Sequence, residues 1–277
     1  MRLALIAAVA FSVSACAHPP ALNEGARYVN MGSSFAAGSG AGPAPEASPA
    51  RCYQSQVNYA HLLAARRNLA LTDVSCGGAT STHLLNAWNE LPAQIDAITA
   101  DTRLVTITIG GNDVAYAGNL TQASCDPDET IRVATFSVPC PAAPFPIASD
   151  AFETLERNLG EATRQIKSRA PEARVIFIQY VTLVPQVQCA NSRLSEVEAA
   201  ELRVVAARLA EVTARAGEAN GAEVFRIDEA SRNHTPCDAD PWSTGLPRDN
   251  AGTQAPWHPN TRGMEVIAER LDALLAR

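Results

Sequence analysis

Positive charge is scarce in this chain of 277 residues, where 22 Lys and Arg stand against 29 Asp and Glu for a formal net charge of −7. A chain whose main partner is a polyphosphate needs a basic face, so this balance argues against a nucleic-acid binder. Lysine is almost missing, Lys167 being the only one; we read this as coding composition and attach no function to it. Cys-x-x-Cys spacing is absent, which removes the usual signature of a zinc site or a redox dithiol. No internal repeat is found, and beyond the first residues no apolar run is long enough to span a bilayer. What is present is ordinary globular composition: 47% hydrophobic residues, 18% charged, 16 Gly and 18 Pro. That length and balance suit one α/β domain of about 200 to 250 residues with a large core.

The N-terminus reads as an address. Met1-Arg2 precedes a short apolar run, Leu3 to Phe11, with the profile of a signal-peptide core. The run ends in Val13-Ser14-Ala15-Cys16, which resembles the bacterial lipobox, where cleavage leaves a cysteine whose thiol takes a diacylglycerol. Residues 1–15 are then a lipoprotein-type signal peptide, 16–26 an acylated Cys16 with its tether, and 27–277 the folded domain. Ordinary secretory cleavage near Ala15 or Ala17 is the alternative. The expected location is the cell envelope, anchored to the membrane through lipid, or the secreted medium.

Setting Cys16 aside leaves Cys52, Cys76, Cys125, Cys140, Cys189 and Cys237, an even number in a chain with an export signal. Proximity along the chain suggests pairing Cys52 with Cys76, Cys125 with Cys140, and Cys189 with Cys237.

Residues 27–31 form a β-prone run that stops at Gly32-Ser33-Ser34. Helical spacing over 55–69 leads to an extended 71–76, broken by Gly77-Gly78, and then a helix-like 81–88. Leu104 to Ile109 is β-branched and ends at Gly110-Gly111, as a strand buried on both faces would. Runs 174–181 and 222–227 repeat that profile after helix-like 150–169 and 195–219, and a last helix is expected over 261–275. Alternating strands and helices predict an α/β fold. Residues 120–146 lack periodicity and read as a disulfide-stapled excursion, and 229–257 as a second irregular stretch.

Ser34, Gly78 and Asn112 each follow a predicted strand, where open parallel sheets bind ligands, and His258 lies in a loop before the last helix. Together they supply a nucleophile, two hydrogen-bond donors and a base. Four segments, Gly32-Ser33-Ser34-Phe35-Ala36-Ala37-Gly38, Cys76-Gly77-Gly78-Ala79-Thr80, Gly110-Gly111-Asn112-Asp113 and His258-Pro259-Asn260, resemble in order the blocks of the SGNH hydrolases, the GDSL-type lipases and esterases. The six cysteines look most like the secreted, three-disulfide branch. The resemblance implies a flavodoxin-like three-layer α/β/α fold with a five-stranded parallel sheet of order 2-1-3-4-5. It also implies Ser34 as nucleophile, His258 as base, and an oxyanion hole from the Ser34 N–H, the Gly78 N–H and the Asn112 amide. The activity implied is hydrolysis of carboxylic esters, lipid or small, through an acyl-serine, with no metal or organic cofactor.

Two positions depart from the pattern: Ser33 replaces the acidic residue of the first block, and Ala255 stands where triad members carry Asp. His258 is then oriented by a backbone carbonyl within 255–257, giving a dyad, or by an acid such as Asp249 or Asp228. Activity is expected to fall as the imidazole titrates, between about pH 5 and 8. Asp113 is a candidate brace for its loop, and His234, near Asp238, Asp240 and Trp242, a candidate binding-loop residue. Two other readings are an O-acetyl esterase acting on cell-wall or exopolysaccharide sugars, and a non-catalytic envelope lipoprotein that keeps the fold.

Overall fold

The computed structural model describes residues 22–133, 136–247 and 255–276. The expected signal peptide, Cys16 and most of its tether lie outside the described residues, as does Asp249.

Strand β1 (Arg27–Gly32) runs through the core with every residue after Arg27 buried. It pairs in parallel with β2 (Ala70–Asp73) on one side and β3 (Thr102–Thr108) on the other, and β3 pairs with β6 (Arg174–Ile178) and β6 with β7 (Glu223–Phe225). The order β2-β1-β3-β6-β7 is the 2-1-3-4-5 arrangement, with strand order reversing beside β1. β-Branched and aliphatic side chains such as Val105, Ile107, Val175 and Ile176 fill both faces, as a sheet covered by helices on two sides requires.

Helix α1 (Ser34–Ala37) is a single turn after β1, and α2 (Tyr59–Arg67), α3 (Thr82–Leu85), α4 (Tyr116–Ser124), α5 (Ala151–Arg169), α6 (Glu196–Ala219), α7 (Ile227–Ala230) and α8 (Thr261–Leu275) complete the layers. α2 packs on α8, and α5 packs on α6. A 3-10 turn over Gln94–Ala97 joins the α5 side and touches β1. The helix ends follow local chemistry. Asn58 caps α2 by accepting from the N–H groups of Ala60 and His61, and Ser195 with Glu198 forms a reciprocal capping box on α6.

Several boundaries are shorter than the sequence suggests: the helix expected over 55–69 spans Tyr59–Arg67, and that over 81–88 is the single turn Thr82–Leu85. The stretch from 120 to 146 is more regular than expected. It begins in α4 and holds an antiparallel ribbon, β4 (Thr130–Val133) paired with β5 (Phe136–Pro139). Its buried Ile131 packs with Cys140 and Leu246 in a small core of its own. Disulfides join Cys52–Cys76, Cys125–Cys140 and Cys189–Cys237.

Candidate active site

Three strand ends meet at the site. The Ser33 N–H donates to the Thr108 carbonyl at 2.9 Å, and the Cys76 N–H to the Gly32 carbonyl at 3.0 Å, so the segments after β1, β2 and β3 are laced together. Gly32 has φ of 136°, and a side chain there would collide with the Thr108 carbonyl; only glycine allows the chain to turn this tightly into Ser34. The turn is also clamped. Gln94 accepts from the Gly32 N–H at 2.7 Å and donates to its carbonyl at 2.9 Å, pairing both groups inside the core.

Ser34 opens α1 and is joined to the last loop by its side chain. Its Oγ lies 2.8 Å from Nε2 of His258, while Nδ1 of that ring lies 2.7 Å from the Pro256 carbonyl. A carbonyl only accepts, so Nδ1 carries the proton and Nε2 presents a lone pair to the serine hydroxyl. Trp257, between them, adopts φ of 57°, a left-handed conformation uncommon for a large side chain. Its fully buried indole donates from Nε1 to Ser124 Oγ at 2.8 Å and holds the turn. Thr244 ties down the same loop, its hydroxyl donating to the Ala255 carbonyl at 2.7 Å and its N–H to the His258 carbonyl at 2.9 Å. Asn260 then caps α8 by accepting from the Gly263 N–H at 2.8 Å.

The Phe35 ring lies 4.6 Å from the imidazole of His258, centroid to centroid. Desolvation pushes the pKa of His258 down to about 4, against the smaller upward effect of the Pro256 carbonyl. The titration expected between pH 5 and 8 therefore moves below that range. Nδ1 is bonded to the Pro256 carbonyl and not to Asp228. Asp228 lies beside β6, its backbone carbonyl accepting from the Thr182 hydroxyl at 2.7 Å, and burial raises its pKa.

Among the described residues neither the Ser34 N–H nor the Gly78 N–H has an acceptor. Gly78 has φ of 82°, a left-handed conformation that favours glycine, and the nearest atom to a side chain there would be Cη2 of Trp88 at 3.3 Å. The Asn112 amide donates to the Ala79 carbonyl at 2.9 Å, tying its loop to that of Gly78 and leaving one amide hydrogen unspoken for. Asp113 braces this pair of loops: it accepts from the Ser81 N–H at 2.9 Å and from the Ser81 hydroxyl, which also accepts from Asn158 at 2.9 Å. Burial raises the Asp113 pKa despite those bonds.

Other supports carry no sequence motif. The Tyr180 hydroxyl accepts from the Gly111 N–H at 2.8 Å, and its ring packs on Phe35 at 4.3 Å. His83 accepts through Nδ1 from the Thr80 N–H at 2.9 Å, steadying the Gly78 loop. His234 stacks on Trp242 at 3.8 Å and binds the Asp240 carbonyl, packing its own loop.

A parallel sheet with a hydroxyl, an imidazole and free donors at its carboxyl edge defines a serine hydrolase of the α/β class. Residues 31–266 match the model of the GDSL-like Lipase/Acylhydrolase family, and the chain belongs to that family. It is 31% identical over 257 residues to Lipase 2 of Streptomyces coelicolor, covering 87% of this chain and 83% of that protein. It is 28% identical over 256 residues to a lipase of Streptomyces rimosus, covering 91% and 87%. The fold matches crystal structures of the S. rimosus extracellular lipase (TM-score 0.69, 24% identity, 89% and 98% of the two chains) and of phospholipase A1 from Streptomyces albidoflavus (0.68, 23%, 89% and 99%). The protein is a carboxylic ester hydrolase.

Proposed function

We propose that Ser34 and His258 form a catalytic dyad that cleaves esters through an acyl-serine. The 2.8 Å contact between Ser34 Oγ and a His258 ring already held in the correct tautomer carries this reading. Ser34 Oγ attacks the ester carbonyl as its proton passes to Nε2. Charge collects on the carbonyl oxygen, where the N–H groups of Ser34 and Gly78 and the free hydrogen of Asn112 stabilise it. The C–O bond to the alcohol then breaks, and Nε2 returns the proton to the departing oxygen. Water, deprotonated by the same nitrogen, attacks the acyl carbon; the bond from that carbon to Ser34 Oγ breaks, Nε2 returns the proton to Oγ, and the acid leaves. A fluorophosphonate ester tests the roles. One adduct per chain is expected, on the peptide bearing Ser34, slowed strongly in His258→Ala; an adduct elsewhere contradicts the assignment.

The dyad makes Asp249 dispensable. Asp249→Asn is expected to keep turnover within a few-fold, and a loss of several hundredfold would install it as a third member. We further propose that residues 1–15 are removed and that Cys16 carries lipid ahead of a hydrolase domain at 27–277, on the strength of the Val13-Ser14-Ala15-Cys16 pattern. Three disulfides suit an exported protein. Cys16→Ser is expected to move the protein from the membrane fraction to the soluble one; unchanged partition would refute the anchor.

A further inference from the structure

Two cavities flank the joined strand ends. One, of about 240 Å3, lies between β6 and α6, where Val181, Leu183 and Leu209 share the lining with the charged Arg203 and Asp228. Tyr180 also lines it, and that ring is pinned between Phe35 and the Gly111 N–H.

The other cavity, of about 350 Å3, is bounded by the Cys52–Cys76 disulfide, Val74, Trp88, Leu91 and Ala97. Polar residues in its wall have their hydrogen bonds directed elsewhere. Gln94 binds both backbone groups of Gly32, Gln54 donates to the Ser75 carbonyl at 2.7 Å, and Asp73 accepts from Asn58 at 2.8 Å and Ser75 at 2.6 Å. The lining offers a guest mostly carbon and sulfur. Trp88 is fixed at the boundary, with the Arg51 guanidinium 4.0 Å over its ring and His83 stacked on it at 4.3 Å. Its edge is the nearest neighbour of Gly78, at the loop whose N–H is free.

We infer that this second cavity receives the hydrocarbon chain of the substrate's acyl group, with Trp88 as its wall beside the oxyanion loop. The inference rests on the dyad reading. His258 must protonate the departing alcohol, so the alcohol lies toward the α8 loop and the acyl substituent points away from it. The Leu91 to Ala97 wall of the cavity is on that other side, packed with the α5 layer, while α8 packs with α2. Its volume falls in the small-ligand range and suits a medium-length chain. Each methylene buried there is expected to raise kcat/KM roughly fourfold until the cavity is full.

The test compares p-nitrophenyl octanoate with p-nitrophenyl acetate. Filling the cavity with Ala97→Phe, or independently with Leu91→Trp, is expected to lower the octanoate-to-acetate ratio of kcat/KM at least tenfold. Ala207→Phe, in the cavity beside β6, is expected to leave the ratio unchanged. A ratio insensitive to both filling variants, or one that falls in Ala207→Phe, overturns the inference. A second readout needs no turnover: decanoate should bind the Ser34→Ala protein by calorimetry, and binding should vanish when Ala97→Phe or Leu91→Trp is added. Failure of acetate hydrolysis in the unmutated protein would count against the dyad, whereas normal hydrolysis without decanoate binding would overturn only the cavity.

Discussion

Asn112 carries two loads on one amide. One hydrogen ties its loop to the Ala79 carbonyl, and the proposed mechanism uses the other for the oxyanion. Asn112→Ala is expected to lower kcat by about 100- to 1,000-fold with little change in KM, since the bond to an oxyanion forms only as charge develops. A KM defect with kcat intact would mean that the amide merely shapes the loop. His258 sets the pH dependence. In the proposed dyad it acts neutral, and burial holds its pKa down to about 4, so protonation would remove the base only as pH falls through that value. The profile of kcat/KM is expected to be flat from neutral pH to about 5 and to fall below it; an acid limb near 6.5 would show an imidazole as solvated as a free one. The missing acid at position 255 is accounted for in the same loop. The carbonyl of Pro256 accepts a hydrogen bond from Nδ1 in place of a carboxylate, and Trp257 beside it is left-handed.

Among the elements, the end of β1 decides where Ser34 stands. Gln94 pairs both backbone groups of Gly32, and in Gln94→Ala the N–H would be left buried and unpaired while the carbonyl kept only the Cys76 N–H. Such a variant is expected to lose about 2 kcal/mol or more in urea unfolding and to lose activity with it, because Ser34 follows two residues on. Unchanged stability would show that water replaces the amide. Gln94 also marks the limit of what sequence reveals. The β-branched runs of β3 and β6, the glycines that break the strands and the serine, asparagine and histidine at their ends are local signals, readable because each residue's neighbours in sequence set its conformation. Gln94 is 62 residues from Gly32 and Tyr180 is 69 from Gly111, and no periodicity announces such pairs. The β4–β5 ribbon is hidden for the same reason. Its four-residue strands depend on Ile131 against Leu246, on the Cys125–Cys140 bridge, and on Arg193 reaching back to Glu129 at 2.8 Å.

Across the whole molecule, a rigid sheet presents chemistry at one edge while disulfides hold the loops around it. Cys52–Cys76 anchors the segment before Gly78, and Cys189–Cys237 closes a span of 48 residues that includes α6. Reduction is expected to cost a few kcal/mol per bridge and to loosen the loops. Mass before and after reduction should change by the hydrogens of three bridges, and a smaller change would leave thiols free. The most direct test of the account is hydrolysis of p-nitrophenyl acetate by the folded, oxidised protein beside its Ser34→Ala variant. Turnover is expected in the first and loss of at least about 1,000-fold in the second, with both unfolding at the same urea concentration. Equal turnover in the two proteins would contradict the role of Ser34 and the dyad built on it.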